Sequence, residues 1–259
     1  MKASLFTKIT SFLAGASVLI LASSAQAATI SVEAISQGWY NEIADIPNDR
    51  VNTFTGIFNN ETDDPSNGAP GEDIEHRSYF AFDVGTSSMP IESATLRLFH
   101  ETYFSSVLSE EITLFDVETS TADLINRNES VDQALAIYDD LGSGSTYGST
   151  VISSETAGWV SVQEWLEIEL SAAAITDINE ALATSGDFSV GISLTSLDGT
   201  SFRVPGIGQA EAVSFSNGSF FTPAQLVLEG VKSVPEPTTA LGALAVFVLG
   251  LACQKRFKK

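Results

Sequence analysis

Six short runs alternate apolar and polar residues with a period of two, which assigns most of this chain to strands rather than helices. In 78–84 (SYFAFDV) the residues Phe80, Phe82 and Val84 share a face. In 93–99 (SATLRLF) Ala94, Leu96 and Leu98 point one way while Thr95 and Arg97 point the other. The run 112–117 (ITLFDV) is β-branched and aromatic, and 166–170 (LEIEL) alternates throughout. Phe188, Val190, Ile192 and Leu194 interleave with Ser189, Gly191 and Ser193, and 225–231 (QLVLEGV) closes the series. Turn-forming residues separate the runs at 85–90, 142–144, 198–199 and 205–208. Two short helices interrupt the pattern. One starts at Ser130 with a capping-box sequence, carries Val131, Ala134, Leu135 and Tyr138 on one face, and stops at Gly142. The other is capped by Ser171, carries Ile175, Ile178 and Leu182, and stops at Gly186. The resulting expectation is an all-β, antiparallel β-sandwich with two short helices, jelly-roll-like in its preferred version, with a barrel as the alternative.

Charge narrows what such a body can touch. The chain has 33 acids against 12 cations, a formal charge of -21. Residues 28–233 hold 32 of those acids and six of those cations, which leaves that segment at -26. It repels polyanions, so nucleic acid is excluded as a partner, and neutral sugars, cations or basic surfaces remain. The one cysteine, Cys253, lies outside the segment, so neither a disulfide framework nor a multi-cysteine zinc site is available.

Both ends read as addresses rather than fold. Residues 1–27 form a secretory signal, with Lys2 and Lys8 before an apolar stretch at 12–22 and the small-x-small site Ala25-Gln26-Ala27. The mature chain is expected to begin at Ala28. At the other end Pro235-Glu236-Pro237 precedes sixteen largely apolar residues, 238–253, and a tail with four cations. A helix of that length reaches roughly 24 Å, a marginal span. The cationic tail keeps the C-terminus cytoplasmic and the acidic body outside.

This order of Pro-Glu-Pro, apolar helix and basic tail over 234–259 resembles the PEP-CTERM sorting signal of bacterial secreted proteins. The resemblance implies recognition and processing by an exosortase at Pro235, Glu236 and Pro237, and an association with exopolysaccharide and biofilm. The flanking prolines keep the motif extended, as a processing enzyme requires. A second resemblance covers much of 37–229. The segments 77–83 (RSYFAFD), 91–98 (IESATLRL) and 223–228 (PAQLVL) are similar to DNRLRE-type domains, which are jelly-roll sandwiches related in shape to carbohydrate-binding modules. Gly38-Trp39-Tyr40 and 140–144 (DLGSG) fit proteins that join such a body to a PEP-CTERM tail.

Three sets of residues invite chemistry. Asp63, Asp64, Glu72, Asp73 and Glu75 crowd a Gly- and Pro-containing stretch whose oxygens suit calcium, although the spacing is not that of an EF-hand, and a solvated acidic loop is the plain alternative. Asp139, Asp140 and Asp198 are weaker metal candidates. Trp39, Tyr40 and Trp159 are the candidates for stacking on sugar rings, with core packing as the alternative, whereas Trp165 and Phe80 are expected in the core. His76 follows Glu75 and His100 precedes Glu101, but neither belongs to a nucleophile motif. The function expected is therefore a non-catalytic, exosortase-sorted surface or matrix protein associated with exopolysaccharide, calcium-assisted through the acidic loop. The alternatives are a purely structural matrix component and a polysaccharide hydrolase or lyase, the last needing only two carboxylates at the right separation.

Overall fold

The structure, a computed structural model, describes residues 27–44, 53–59, 73–126, 130–184, 186–198, 202–204, 208–216 and 222–231. In chain order the elements are β1 (Ala27–Glu33), β2 (Ser36–Asn41), β3 (Thr53–Asn59), β4 (Asp73–Asp83), β5 (Ile91–Ser105), β6 (Ser109–Phe115), α1 (Thr121–Asn126) and α2 (Val131–Asp140). They continue with β7 (Thr146–Ser153), β8 (Gly158–Glu169), α3 (Ala172–Ala183), β9 (Asp187–Leu194), β10 (Phe202–Val204), β11 (Gly208–Ser216) and β12 (Gln225–Val231). All six alternating runs form strands over most of their length, with Val84, Asp116, Val117 and Leu170 beyond the strand ends. The architecture is mostly antiparallel β-sheet, sandwich-like, with three short helices among the described residues where two were expected; α1 is the addition.

The strand order is β1-β12-β5-β11-β3-β4-β9-β6-β7, with β10 beside β11, β2 beside β4 and β8 beside β5. Two long strands organise this path. β5 pairs through 91–97 with β12 and through 102–104 with β11, and β8 runs along it from 95 to 105. β4 pairs through 73–76 with β3, through 76–81 with β2 and through 78–83 with β9. Each thus serves several neighbours, which lets one hydrogen-bonded sheet enclose the main core.

That core holds Phe80 and Phe82 from β4, Leu96 and Leu98 from β5, Ile112 and Leu114 from β6, and Val190 and Ile192 from β9. Leu226 and Leu228 from β12 join it. Each fully buried side chain of this kind contributes about 1.5–3 kcal/mol. A second apolar cluster lies against Tyr40 of β2 and Tyr79 and Ala81 of β4, where Leu124, Ala134, Ile137, Tyr138 and Leu141 cover them. β4 is therefore buried on both faces from Ser78 to Phe82.

The helix starts follow the sequence with two corrections. Ser130 caps α2 through a complete capping box with Gln133, and Ala134 and Tyr138 face inward as expected. Ile137 takes the inward place assigned to Val131, which is exposed. Ser171 sits at the cap position of α3, but its hydroxyl donates to the Thr146 carbonyl at 3.0 Å instead of capping the helix. Arg77 fastens α2 to β4: its guanidinium lies 4.2 Å from the centre of the Tyr138 ring and donates to the Tyr138 carbonyl at 3.1 Å and to Glu75 at 2.9 Å.

Residues Ala27–Lys232 make one compact unit. The predicted sorting segment, with Pro235, Glu236 and Pro237, and the predicted signal segment up to residue 26, with Ala25, lie outside the described residues. Ala27, the last residue of the predicted signal, is instead the first of β1, opposite Val231. No helix among the described residues is long and apolar enough to cross a membrane. Gly191 on β9 supports the end of α2 so closely that a methyl group there would stand 2.5 Å from the Leu141 carbonyl oxygen. Gly191→Ala is accordingly expected to destabilise the domain by about 1–3 kcal/mol, measured by urea unfolding; an unchanged midpoint would contradict this packing.

Candidate functional site

The outer face of β8 is built by strand alternation. Val160, Val162, Leu166 and Ile168 turn toward the core, which sends Trp159, Trp165 and Glu167 outward. Trp159 is 56% exposed and Trp165 36% exposed. Trp165 is thus a surface residue, against the expectation that it packs in the core, whereas Phe80 is buried as expected. Each tryptophan rests on an aromatic ring of β5. Trp165 meets Phe99 edge-on at 5.6 Å, and Trp159 meets Phe104 at 5.6 Å. Arg97 lies 4.8 Å from the centre of the Trp165 ring and donates to Glu167 at 3.0 Å and to the Gln225 side chain at 2.9 Å. Between the two tryptophans β8 carries one more residue than β5, the register shifting across His100 and Thr102, and Gln163 adopts a positive φ of 57°. Six residues of strand place the tryptophans roughly 20 Å apart.

The other sugar-stacking candidates turn inward. Tyr40 is 1% exposed under α1 and α2, and its hydroxyl donates to the Leu124 carbonyl at 3.3 Å. Trp39 is 9% exposed, 4.6 Å from the His76 ring and 5.2 Å from Phe54. Neither presents a free ring face, because β2 is covered along its whole length. Of the predicted trio only Trp159 is available, and the structure pairs it with Trp165 instead. From Trp39 an aromatic file continues through Phe54, Phe58 and Phe104 to Trp159, so the exposed ring stands at the end of a packed row.

For the acidic cluster, Asp63, Asp64 and Glu72 lie outside the described residues. Asp73 is exposed at the start of β4, and Glu75 carries an ion pair with Arg77 at 2.9 Å. That carboxylate already has its cation. Among the described residues no group of three metal-ligating side chains comes together. Asp140 accepts from the Thr119 N–H at 2.8 Å and from its hydroxyl at 2.6 Å, which ties the chain after β6 to α2. Asp198 offers its backbone N–H to Glu211 at 3.0 Å.

A buried polar knot escaped sequence reasoning. Glu110, at the start of β6, accepts from the Ser105 hydroxyl at 2.5 Å and from the Ser196 hydroxyl. The phenol of Tyr103 donates to the Val107 carbonyl at 2.9 Å, and burial together with the charge of Glu110 pushes it up to about 12. These contacts fasten the β5–β6 turn to the segment after β9. The hydroxyl donors compensate a buried carboxylate where arginine and lysine are scarce.

No family model matches the chain, and no curated protein does. Among solved structures it is similar to the K1 cleaved adhesin domain of Lys-gingipain from Porphyromonas gingivalis W83, at 10% identity over 80% of this chain and 91% of that chain, with a TM-score of 0.28. So low a score carries neither fold nor function across, and the site stands on its own geometry.

Both histidines are buried away from acid–base work. His76 donates from Nδ1 to the Ile74 carbonyl at 2.9 Å among Trp39, Phe54 and Phe58, and His100 packs beside Tyr103 with Nε2 unpartnered. Burial lowers each to about 4 from 6.5, in His76 against the pull of nearby backbone carbonyls and Glu75. The unfolded chain therefore takes up protons below pH 6.5 while the folded chain does not until about 4, so stability falls as pH falls through that window. Each histidine contributes on the order of 3 kcal/mol to the loss. Between pH 7 and 5, where most carboxylates stay ionised, His100→Phe should remove about half of the fall in urea midpoint. A variant with the wild-type pH slope would exclude this origin.

Proposed function

We propose that this chain is exported, sorted through Pro235-Glu236-Pro237, and displays a non-catalytic jelly-roll sandwich that associates with extracellular polysaccharide. The observation that carries the binding part is the outward pair Trp159 and Trp165 on β8, braced from beneath by Phe104 and Phe99. A flat indole face shields the C–H surface of a sugar ring from water, and Arg97, Gln225 and Glu167 beside Trp165 supply donors and acceptors for hydroxyls. A separation of roughly 20 Å suits an extended polymer better than a single sugar. The exposed carboxylates Glu164, Glu167 and Glu169 on the same strand disfavour polyuronates and leave neutral glycans as the ligand class. Calcium enters this reading as a ligand of the acidic stretch that precedes β4 in sequence, where it would lower the body's self-repulsion.

Residues 28–233 are expected to be retained on neutral glycans, and Trp159→Ala should weaken retention about tenfold, the ~1.4 kcal/mol of one stacking contact. Parallel runs with chelator and with added calcium test the cation. Absence of retention in every condition removes the binding claim, and equal retention with and without chelator removes calcium from it.

The sorting claim has a separate test. Glu236→Ala should leave the exported chain unprocessed and membrane-held, read as the intact mass of the cell-derived protein; a mass identical to wild type would refute exosortase recognition at this motif.

A further inference from the structure

β7 ends the strand path, paired on one side with β6. Which of its backbone groups face the open side follows from hydrogen bonds made by β6. Glu111 of β6 donates its N–H to the Ser196 hydroxyl at 2.8 Å and accepts at its carbonyl from the Thr195 N–H at 2.8 Å, both on the β9 side. Glu111 therefore makes no backbone bond toward β7, and its partner Val151 stands in a non-hydrogen-bonded pair. The N–H and C=O of Val151 point away from β6, and by the period of two so do those of Ser149 and Ser153. Tyr147 obeys the same parity: its carbonyl faces outward and accepts from the Ser171 N–H at 2.7 Å. Ser171 thus closes the beginning of the edge, and 149–153 has no backbone partner on that side among the described residues.

This open segment, Ser-Thr-Val-Ile-Ser, has no charge, although the body around it carries -26. Its outward residues are symmetric about Val151, whose side chain is 61% exposed. β8 manages its own free side differently, with Glu164, Glu167 and Glu169 and an inserted residue at the bulge. The segment itself carries no carboxylate for a basic partner, the exposed Glu111 lying opposite Val151 on β6, away from the open side, whereas a second copy of the chain meets its mirror in register.

We propose that β7 pairs antiparallel with β7 of a second copy about a two-fold axis through Val151. Val151 then faces its own symmetry mate and Ser149 faces Ser153 of the second copy, each pair exchanging both N–H···O=C bonds. The exposed valines meet across the axis. Repulsion between two anionic bodies opposes the contact, so it strengthens as salt rises. This dimer uses a different strand from the polysaccharide face and does not depend on that reading.

The test uses the full chain in detergent with Cys253→Ala, which leaves Val151→Cys as the sole thiol. Across a hydrogen-bonded antiparallel pair the Cα atoms stand about 5.5 Å apart, within disulfide reach. Mild oxidation should give a covalent dimer roughly tenfold faster than the same chain with Val131→Cys, an exposed helical control, because pairing holds the thiols at high effective concentration. The rate should rise with sodium chloride. Ser149→Pro removes an outward N–H without breaking a bond to β6, and should abolish the advantage. In the wild-type chain, amide exchange at Ser149, Val151 and Ser153 should slow as protein concentration rises. Crosslinking no faster than the control, crosslinking unaffected by Ser149→Pro, or exchange independent of concentration would each overturn the proposal.

Discussion

Phe80 and Phe82 of β4 and Leu96 and Leu98 of β5 share one core, and every other strand is placed by pairing, direct or relayed, to one of those two. The hydrophobic effect supplies attraction without direction; the ladders supply the direction. Because β5 gives one edge to β12 and then β11 while β8 takes the other, a shift of β5 by one residue would move Leu96 and Leu98 to the outer face and turn Thr95 and Arg97 into the core. The outer face of β8 depends on the same register. Trp165 is outside because Leu166 and Ile168 are inside.

That parity was legible from residues alone. The run Leu166-Glu167-Ile168-Glu169-Leu170 assigns odd positions to solvent, and Trp165 continues the odd series. The expectation of a core tryptophan followed residue type where the pattern of the strand was the stronger signal. β2 failed for the opposite reason. Its residues are buried on both faces, between the sheet core and the α1–α2 cover, so no alternation exists to be read around Trp39 and Tyr40. β7 and β11 were missed because small and polar residues dilute their apolar pattern, and their strand state comes from neighbours rather than from their own period. The α2 cap was readable because Ser130 and Gln133 act within one turn; the Ser171 hydroxyl was not, because its acceptor, Thr146, is set by tertiary structure.

Electrostatics in this body is a matter of restraint. The described ion pairs are Arg77 with Glu75 and Arg97 with Glu167, and each guanidinium also lies over an aromatic ring. Such a planar cation can hold a carboxylate and cover apolar surface at once, which a lysine ammonium does less well. Where no cation is at hand, hydroxyls and backbone N–H groups take its place, as at Glu110 and Asp140. The fold therefore rests on burial and hydrogen bonding, and the surplus negative charge acts outward, on which partners can approach.

Two of the free sides of the sheet, those of β8 and β7, then separate by chemistry. β8 exposes rings on its face and carboxylates along its length, a combination that admits an uncharged, ring-shaped ligand while discouraging a second strand. β7 exposes no rings and no charge, only backbone groups and one valine, a combination that offers little to a sugar and much to another strand. In a body whose copies repel one another, the neutral edge of β7 is a place where two copies can approach without setting the carboxylates of one strand against those of the other. The same surplus of acid that keeps the molecules apart would thus decide the geometry in which they meet.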